Sequence, residues 1–207
     1  ANIWQGLNHV GNLIHAESFD AAEKELDELI TENEQHFWAF NSDKVEALVA
    51  RATLDRVKGE LSKAETSLKQ ALFAHAFWFR ECKLESKATI FLELTKVYID
   101  ARKFPQAREA LLNAEKLYLR RSANWCGMEV DEYQYLHNPF KLDLLEFKGY
   151  LQESAGHFDQ SEKTYKQMVE LAENYYNSPQ FHNEEDSEVK KEISWIVERF
   201  ASLAHFY

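Results

Sequence analysis

A short pattern recurs four times along this chain, and it constrains the fold more than any other feature of the sequence. Each copy places a large apolar residue first and a small residue three positions later. The large residues are Phe19, Leu61, Phe104 and Phe158, and the small residues are Ala22, Ala64, Ala107 and Ser161. The copies follow one another at intervals of 42, 43 and 54 residues. Repetition in one phase is typical of a chain that is built from stacked structural units.

Each copy is typical of the beginning of a helix. In three copies, the second residue has a side-chain oxygen that can cap first-turn N–H groups, and a glutamate three residues later completes the spacing of a capping box. These pairs are Asp20 with Glu23, Ser62 with Glu65, and Asp159 with Glu162. The third copy has Pro105 instead, which suits the first turn of a helix. We therefore expect a helix to start, capped by its own side chains, at each copy.

Apolar residues at helical spacing lie on both sides of each copy, which predicts two helices per unit joined by a short turn. The chain has only 6 Gly and 3 Pro, fewer than a turn-rich β fold of this length needs. Neither helix of such a pair can bury its apolar face alone, so neighbouring pairs must stack. We expect an all-α fold of about four helix hairpins, near residues 3–40, 44–83, 88–120 and 140–177, within one domain that spans residues 1–207.

The residues around the third copy resemble the tetratricopeptide (TPR) repeat family. The residues that carry this resemblance are Leu94, Tyr98, Phe104, Ala107, Leu111 and Ala114. The second unit supplies Gly59, Leu61, Ala64, Leu68 and Ala71, and the fourth supplies Gly149, Gly156, Phe158 and Tyr165. Because the intervals exceed the roughly 34 residues of a standard TPR unit, the resemblance is to a long-repeat variety. It implies a right-handed superhelical array of hairpins.

The TPR resemblance also implies a concave groove that is lined by the first helix of each unit and binds a protein or peptide. Its phase places Trp4, Asn8, Arg56, Lys96 and Tyr150 in that groove. Trp4 and Tyr150 are the candidate apolar anchors, and Arg56 and Lys96 could orient an acidic group of the partner. The alternative is a sensor or regulatory domain of a larger signalling protein or transcription regulator that responds to a peptide or small ligand. The sequence leaves both functions open.

Two further segments could contribute to binding. The insertion before the fourth unit, residues 120–139, carries Trp125, Tyr133 and Tyr135. These aromatic residues either pack onto neighbouring helices or form a second binding surface. Residues 187–207 carry one continuous apolar face at helical spacing. We expect a capping helix over the last hairpin there, or a helix through which the protein could form a homo-oligomer.

The composition argues against several other functions. A net charge of -11 and a pI near 5.2 repel phosphate backbones and anionic lipid, so we expect neither a direct nucleic-acid partner nor a membrane partner. The 8 histidines show no metal-ligand spacing, and no nucleophile motif or phosphate-binding loop is present. We therefore expect no metal, no cofactor and no catalytic residue. The 2 cysteines form no CxxC pair, which fits free thiols in a cytoplasmic protein.

Overall fold

The protein is helical throughout the part of the chain that the computed structural model describes, which comprises residues 3–37, 42–78, 84–122 and 139–176. These residues form eight helices and no strand, which confirms the all-α class. In chain order they are α1 Ile3–His15, α2 Phe19–Phe37, α3 Ser42–Val57, α4 Leu61–Trp78, α5 Leu84–Asp100, α6 Phe104–Ser122, α7 Pro139–Ser154 and α8 Phe158–Tyr176. Among the described residues, no helix is both long enough and apolar enough to cross a bilayer.

The chain divides into two compact units, Ala1–Arg121 and Ser122–Tyr207. In the first unit, consecutive helices pack together from α1 through α5, and the first helices of successive hairpins also touch, α1 with α3 and α3 with α5. In the second unit, α7 packs against α8. The predicted packing of neighbouring helices is therefore present within each unit. A single array that runs through both units stays a prediction.

One type of turn joins the two helices of every pair. The residue two positions before each large repeat residue has a positive φ: 56° at Glu17, 79° at Gly59, 57° at Arg102 and 77° at Gly156. The N–H of the next residue donates to a carbonyl five residues earlier, at 2.8–2.9 Å in all four turns. This is the Schellman motif, which satisfies the last carbonyls of the first helix. Glycine reaches this conformation without strain, whereas Glu17 and Arg102 carry a Cβ into the left-handed region.

The same turn sets where the second helix begins, and the capping prediction is wrong for this reason. The N–H of Ala22 donates to the carbonyl of Ser18 at 3.0 Å, and the turn of every other pair has the equivalent bond. The helix therefore already begins at the large repeat residue, one position before the predicted cap, and Asp20 lies inside its first turn. Ser62 and Asp159 occupy the same place in α4 and α8. The negative charges of Asp20 and Asp159 still interact favourably with the positive end of the helix dipole. Pro105 lies in the first turn of α6, as predicted.

The small repeat residues are buried, as the repeat pattern predicts. Ala22, Ala64 and Ala107 have no exposed surface, and Ser161 has 4%. Leu54 of α3 belongs to the same buried cluster as Leu26 of α2. Stacking of one hairpin on the next therefore creates a shared core, as the repeat pattern predicts.

The two helices of the second unit also approach closely at a glycine. A Cβ on Gly149 of α7 would lie 2.6 Å from Cε1 of Tyr165 on α8, so only glycine fits there without a shift of the ring. The hydroxyl of Ser161 donates to the carbonyl of Gly149 at 2.9 Å, which ties the two helices together at the same point. Met168 and Ala172 of α8 complete this core with Leu142 of α7. The predicted C-terminal helix at residues 187–207 lies outside the described residues.

Candidate partner-binding surface

The first helices of the first unit form a continuous surface, because α3 touches both α1 and α5. The predicted binding residues of this unit lie on these helices: Trp4 and Asn8 on α1, Arg56 on α3 and Lys96 on α5. Asn8 is exposed, while Arg56 and Lys96 are half-buried. We call the α1, α3 and α5 side of the unit the first-helix surface.

Arg56 is bound to an acid of the neighbouring helix. Its Nη1 donates to Oδ2 of Asp100 at 3.0 Å, which joins the C-terminal ends of α3 and α5. The Nε of Arg56 is buried and has no hydrogen-bond partner among the described residues. The guanidinium therefore has a buried N–H donor without a partner in the described part of the chain, while its charge is neutralised by Asp100.

Lys96 is also paired within the surface. Its ammonium contacts Oε1 of Glu93, one turn earlier on α5, at 2.5 Å, and both side chains are half-buried. The sequence predicted Arg56 and Lys96 as a local positive pair that orients an acidic group. The structure instead gives each cation a carboxylate on the same surface, so an acidic partner group would have to compete with Asp100 and Glu93.

The other predicted binding residues are placed differently. Trp4 lies on α1, but its side chain is outside the described part. Tyr150 is a half-buried residue of α7 and belongs to the second unit. Trp125, Tyr133 and Tyr135 lie outside the described residues. Asn8, Arg56 and Lys96 therefore lie on first helices that pack side by side, and the aromatic anchors stay predictions.

The junctions between hairpins hold a charge network that the sequence analysis missed. Glu23 of α2 accepts a hydrogen bond from Lys58, in the turn of the next hairpin, at 2.5 Å. Glu65 of α4 stands at the same repeat position and contacts Lys103, in the turn of its next hairpin, at 2.9 Å. The two lysines lie 35 and 38 residues beyond their partners. The signal in the sequence was a glutamate four residues after the large repeat residue, which was assigned to a capping box instead.

The second junction is the more complete of the two. Glu65 contacts Lys69, Lys103 and the hydroxyl of Tyr98, which donates at 3.2 Å. The hydrogen bonds from Lys69 and Lys103 lower the pKa of the Glu65 carboxyl to about 2. The ammonium of Lys103 also lies 5.9 Å from the centre of the Tyr98 ring. This cluster binds α4 to α5 and fixes the position of the following turn.

The first junction contains a buried carboxyl. Asp55 of α3 occupies the repeat position of Tyr98 and is 5% exposed. Burial raises the pKa of the Asp55 carboxyl, nearby Arg51 opposes that shift, and Glu60 and Glu23 add to it. Arg51 itself is ion-paired with Asp27 and lies 3.8 Å from Glu23. The first junction thus has the carboxyl of Asp55 at the position where the second junction has the neutral hydroxyl of Tyr98.

These groups can form ion pairs and hydrogen bonds, and they hold the hairpins in fixed positions. Within residues 3–37, 42–78, 84–122 and 139–176, no group of three or more His, Cys, Asp or Glu side chains is arranged to hold a metal ion. No model of a known protein family matches this chain, and no curated protein matches its sequence.

Proposed function

We propose that this protein is an interaction module that binds a segment of another protein on its first-helix surface, and that it is not an enzyme. The observation that carries the proposal is the packing of α1, α3 and α5 side by side. Helices in this arrangement present one broad surface that is built from several discontinuous segments of the chain. Repeat proteins use such surfaces to bind extended partners.

The finer geometry belongs to the same proposal. A right-handed superhelical array of the TPR type would make the first-helix surface concave. Tyr150 stands at the same repeat position as Lys96, eight residues before the large repeat residue. Trp4 on α1 and Tyr150 on α7 are the proposed apolar anchors. We propose that the protein is cytoplasmic, since its two cysteines form no CxxC pair, and that its partner is a protein or peptide.

The ion pairs change what the partner should look like. Arg56 and Lys96 are neutralised by Asp100 and Glu93, so the surface does not offer a strong field for a highly acidic ligand. The pairs supply fixed, directional polar groups between apolar positions. A partner helix or extended peptide with apolar anchors and a few polar side chains fits this arrangement.

A double charge swap tests the proposal while keeping each internal pair. Arg56→Asp with Asp100→Arg, combined with Lys96→Glu with Glu93→Lys, reverses the polar pattern of the surface at constant net charge. The control is Lys166→Glu with Glu162→Lys, which swaps an exposed pair on α8. Both variants and the wild type are used for affinity capture from native lysate, followed by titration of any captured partner.

We expect the surface variant to lose at least about tenfold in affinity for a partner, which corresponds to about 1.4 kcal/mol. The control should bind as the wild type does. Equal partners and affinities for all three folded proteins would show that the first-helix surface is not the binding site.

A further inference from the structure

The α2–α3 and α4–α5 junctions use the same repeat positions but differ in charge. At the α4–α5 junction, Glu65 accepts hydrogen bonds from Lys69 and from the hydroxyl of Tyr98. At the α2–α3 junction, Asp27 stands eight residues after the large repeat residue, where α4 has Lys69. Asp55 stands six residues before the next large repeat residue, where α5 has Tyr98. Two hydrogen-bond donors of one junction are thus replaced by two acids at the other.

Asp55 lies on the face of α3 that packs against α2. Arg51, one turn earlier on α3, contacts Asp27 and lies 3.8 Å from Glu23, and both acids belong to α2. Tyr98, at the repeat position of Asp55, likewise contacts the second helix of the preceding hairpin. Asp55 is 5% exposed. Docking of the first hairpin therefore encloses the Asp55 carboxyl beside an acidic stretch of α2.

The cations of this junction are already paired with acids other than Asp55. The pairs are Arg51 with Asp27, Lys58 with Glu23, and Lys63 with Glu60. A buried carboxyl whose neighbouring cations have other partners is costly to keep charged. Proton uptake by Asp55 removes that cost.

The electrostatics of Asp55 agree with this arrangement. Burial raises the pKa of the Asp55 carboxyl, and the charges of Glu60 and Glu23 raise it further, against the opposing effects of Arg51 and Lys63. The hydrogen bond from Lys63 lowers the pKa of Glu60, so Glu60 stays ionised while Asp55 titrates. The other two helices that pack on α3 have ion pairs that do not involve Asp55, namely His9 with Glu25, Lys96 with Glu93, and Asp100 with Arg56.

We propose that docking of the first hairpin on α3 is coupled to the uptake of one proton by Asp55, so that this junction tightens as the pH falls. The proton removes the repulsion between Asp55 and the carboxylates of Glu23 and Glu60, and a neutral carboxyl is buried at lower cost. The α4–α5 junction lacks this step in acid, because it has the hydroxyl of Tyr98 in place of the carboxyl.

The sign of the pH dependence follows from linkage. Before docking, Asp55 has its ordinary pKa of 3.8, and docking raises that pKa. The stabilisation of the docked hairpin by the proton is therefore full below 3.8, is lost as the pH rises through the docked pKa, and is absent above it. Because α1 belongs to the first-helix surface, the same equilibrium sets how much of that surface is assembled, a consequence that rests on the function proposed above.

The first test measures the titration of Asp55 by carbon NMR of the aspartate carboxyls, with its signal assigned from the loss in Asp55→Asn. We expect a midpoint above 3.8 in the wild type. Glu23→Gln should move this midpoint to lower pH, because it removes a like charge and releases Lys58. The control Glu32→Gln removes the same charge about 13 Å further along α2 and should leave the midpoint unchanged. A wild-type midpoint at or below 3.8, or equal midpoints in the two variants, would overturn the proposal.

The second test follows docking by amide hydrogen exchange, expressed as protection factors so that the pH dependence of the exchange chemistry cancels. Asp55→Asn places a neutral group of the same shape at the buried position. At pH 7, protection of α1 and α2 should be at least about threefold greater in this variant than in the wild type, since relieving a buried charge is worth no less than one ordinary hydrogen bond. This ratio should fall towards one as the pH is lowered through the midpoint found by NMR.

Protection of α8, in the second unit, is the internal control and should be equal in the two proteins. Equal protection of α1 and α2 in the two proteins at pH 7 would overturn the proposal, and so would a ratio that does not change with pH. Neither measurement uses a partner, so a failure here is distinguishable from a failure of the proposed binding function.

Discussion

Replacing Arg102 with glycine should stabilise the first unit, because the α5–α6 turn holds this residue at a φ of 57°. A side chain in the left-handed region costs roughly 1–2 kcal/mol. Glycine avoids this cost but loses more backbone entropy on folding, by roughly 0.5–1 kcal/mol. The net gain expected from Arg102→Gly is therefore about 0.5–1 kcal/mol, which corresponds to a rise of about 2–4 °C in Tm for a unit of this size.

The control for this prediction is Arg102→Ala. The side chain of Arg102 is exposed, so its removal should change the free energy of unfolding by less than about 0.5 kcal/mol. Alanine keeps the Cβ, and the difference between the glycine and alanine variants isolates the backbone term. The converse change, Gly59→Ala, places a Cβ at a φ of 79° and should destabilise by about 0.5–1 kcal/mol, once the smaller backbone entropy of alanine is subtracted.

The assay is urea denaturation followed by circular dichroism, and amide hydrogen exchange shows which unit each unfolding transition belongs to. Because the chain forms two compact units, the gain belongs to the transition that unfolds residues 1–121. If Arg102→Gly were no more stable than Arg102→Ala, the turn would not be under the strain that its φ indicates, and the argument from the Schellman motif would be refuted.

Three further predictions concern the junctions and the core. Glu65→Gln should lower the stability at pH 7. Folding lowers the pKa of Glu65 from 4.5 to about 2, so the difference in stability between variant and wild type should shrink as the pH falls through that interval. Thermal melts at a series of pH values measure it. Asp55→Asn should raise the unfolding midpoint at pH 7. Burial raises the pKa of the Asp55 carboxyl, so its charged form destabilises the fold above that pKa, and the stability gain of the variant should become smaller in acid. A variant that is less stable than the wild type at pH 7 would contradict this. Gly149→Ala should lower the free energy of unfolding by about 1–3 kcal/mol, because the new Cβ overpacks against Tyr165. Gly11→Ala is the control, since its Cβ would meet no neighbouring atom within 4 Å and should not destabilise. Equal effects of the two changes in urea titrations would argue against the close contact.

The candidate site illustrates why charge partners could not be predicted. Arg56 and Asp100 are 44 residues apart and meet only because α3 packs against α5. The sequence places both on first helices, but the rotation of each helix about its axis decides which acid reaches which cation. Arg56 and Lys96 were therefore interpreted as a positive pair available for a partner, although each already pairs with a carboxylate of the fold.

The sequence by itself determined the helical class and the place of each turn, since large and small residues recur in one phase and only stacked helices can bury them. Ala22, Ala64, Ala107 and Ser161 are buried as that pattern requires. Only the tertiary structure decided how each turn is closed. Glu17 and Arg102 adopt the same left-handed conformation as the two turn glycines because the backbone hydrogen bonds on both sides enforce it, and a residue-by-residue preference cannot show this. Tertiary packing also decided the use of Glu23 and Glu65, which bind lysines of the following turns instead of capping their own helices, because ion pairs between distant residues form only after the hairpins stack.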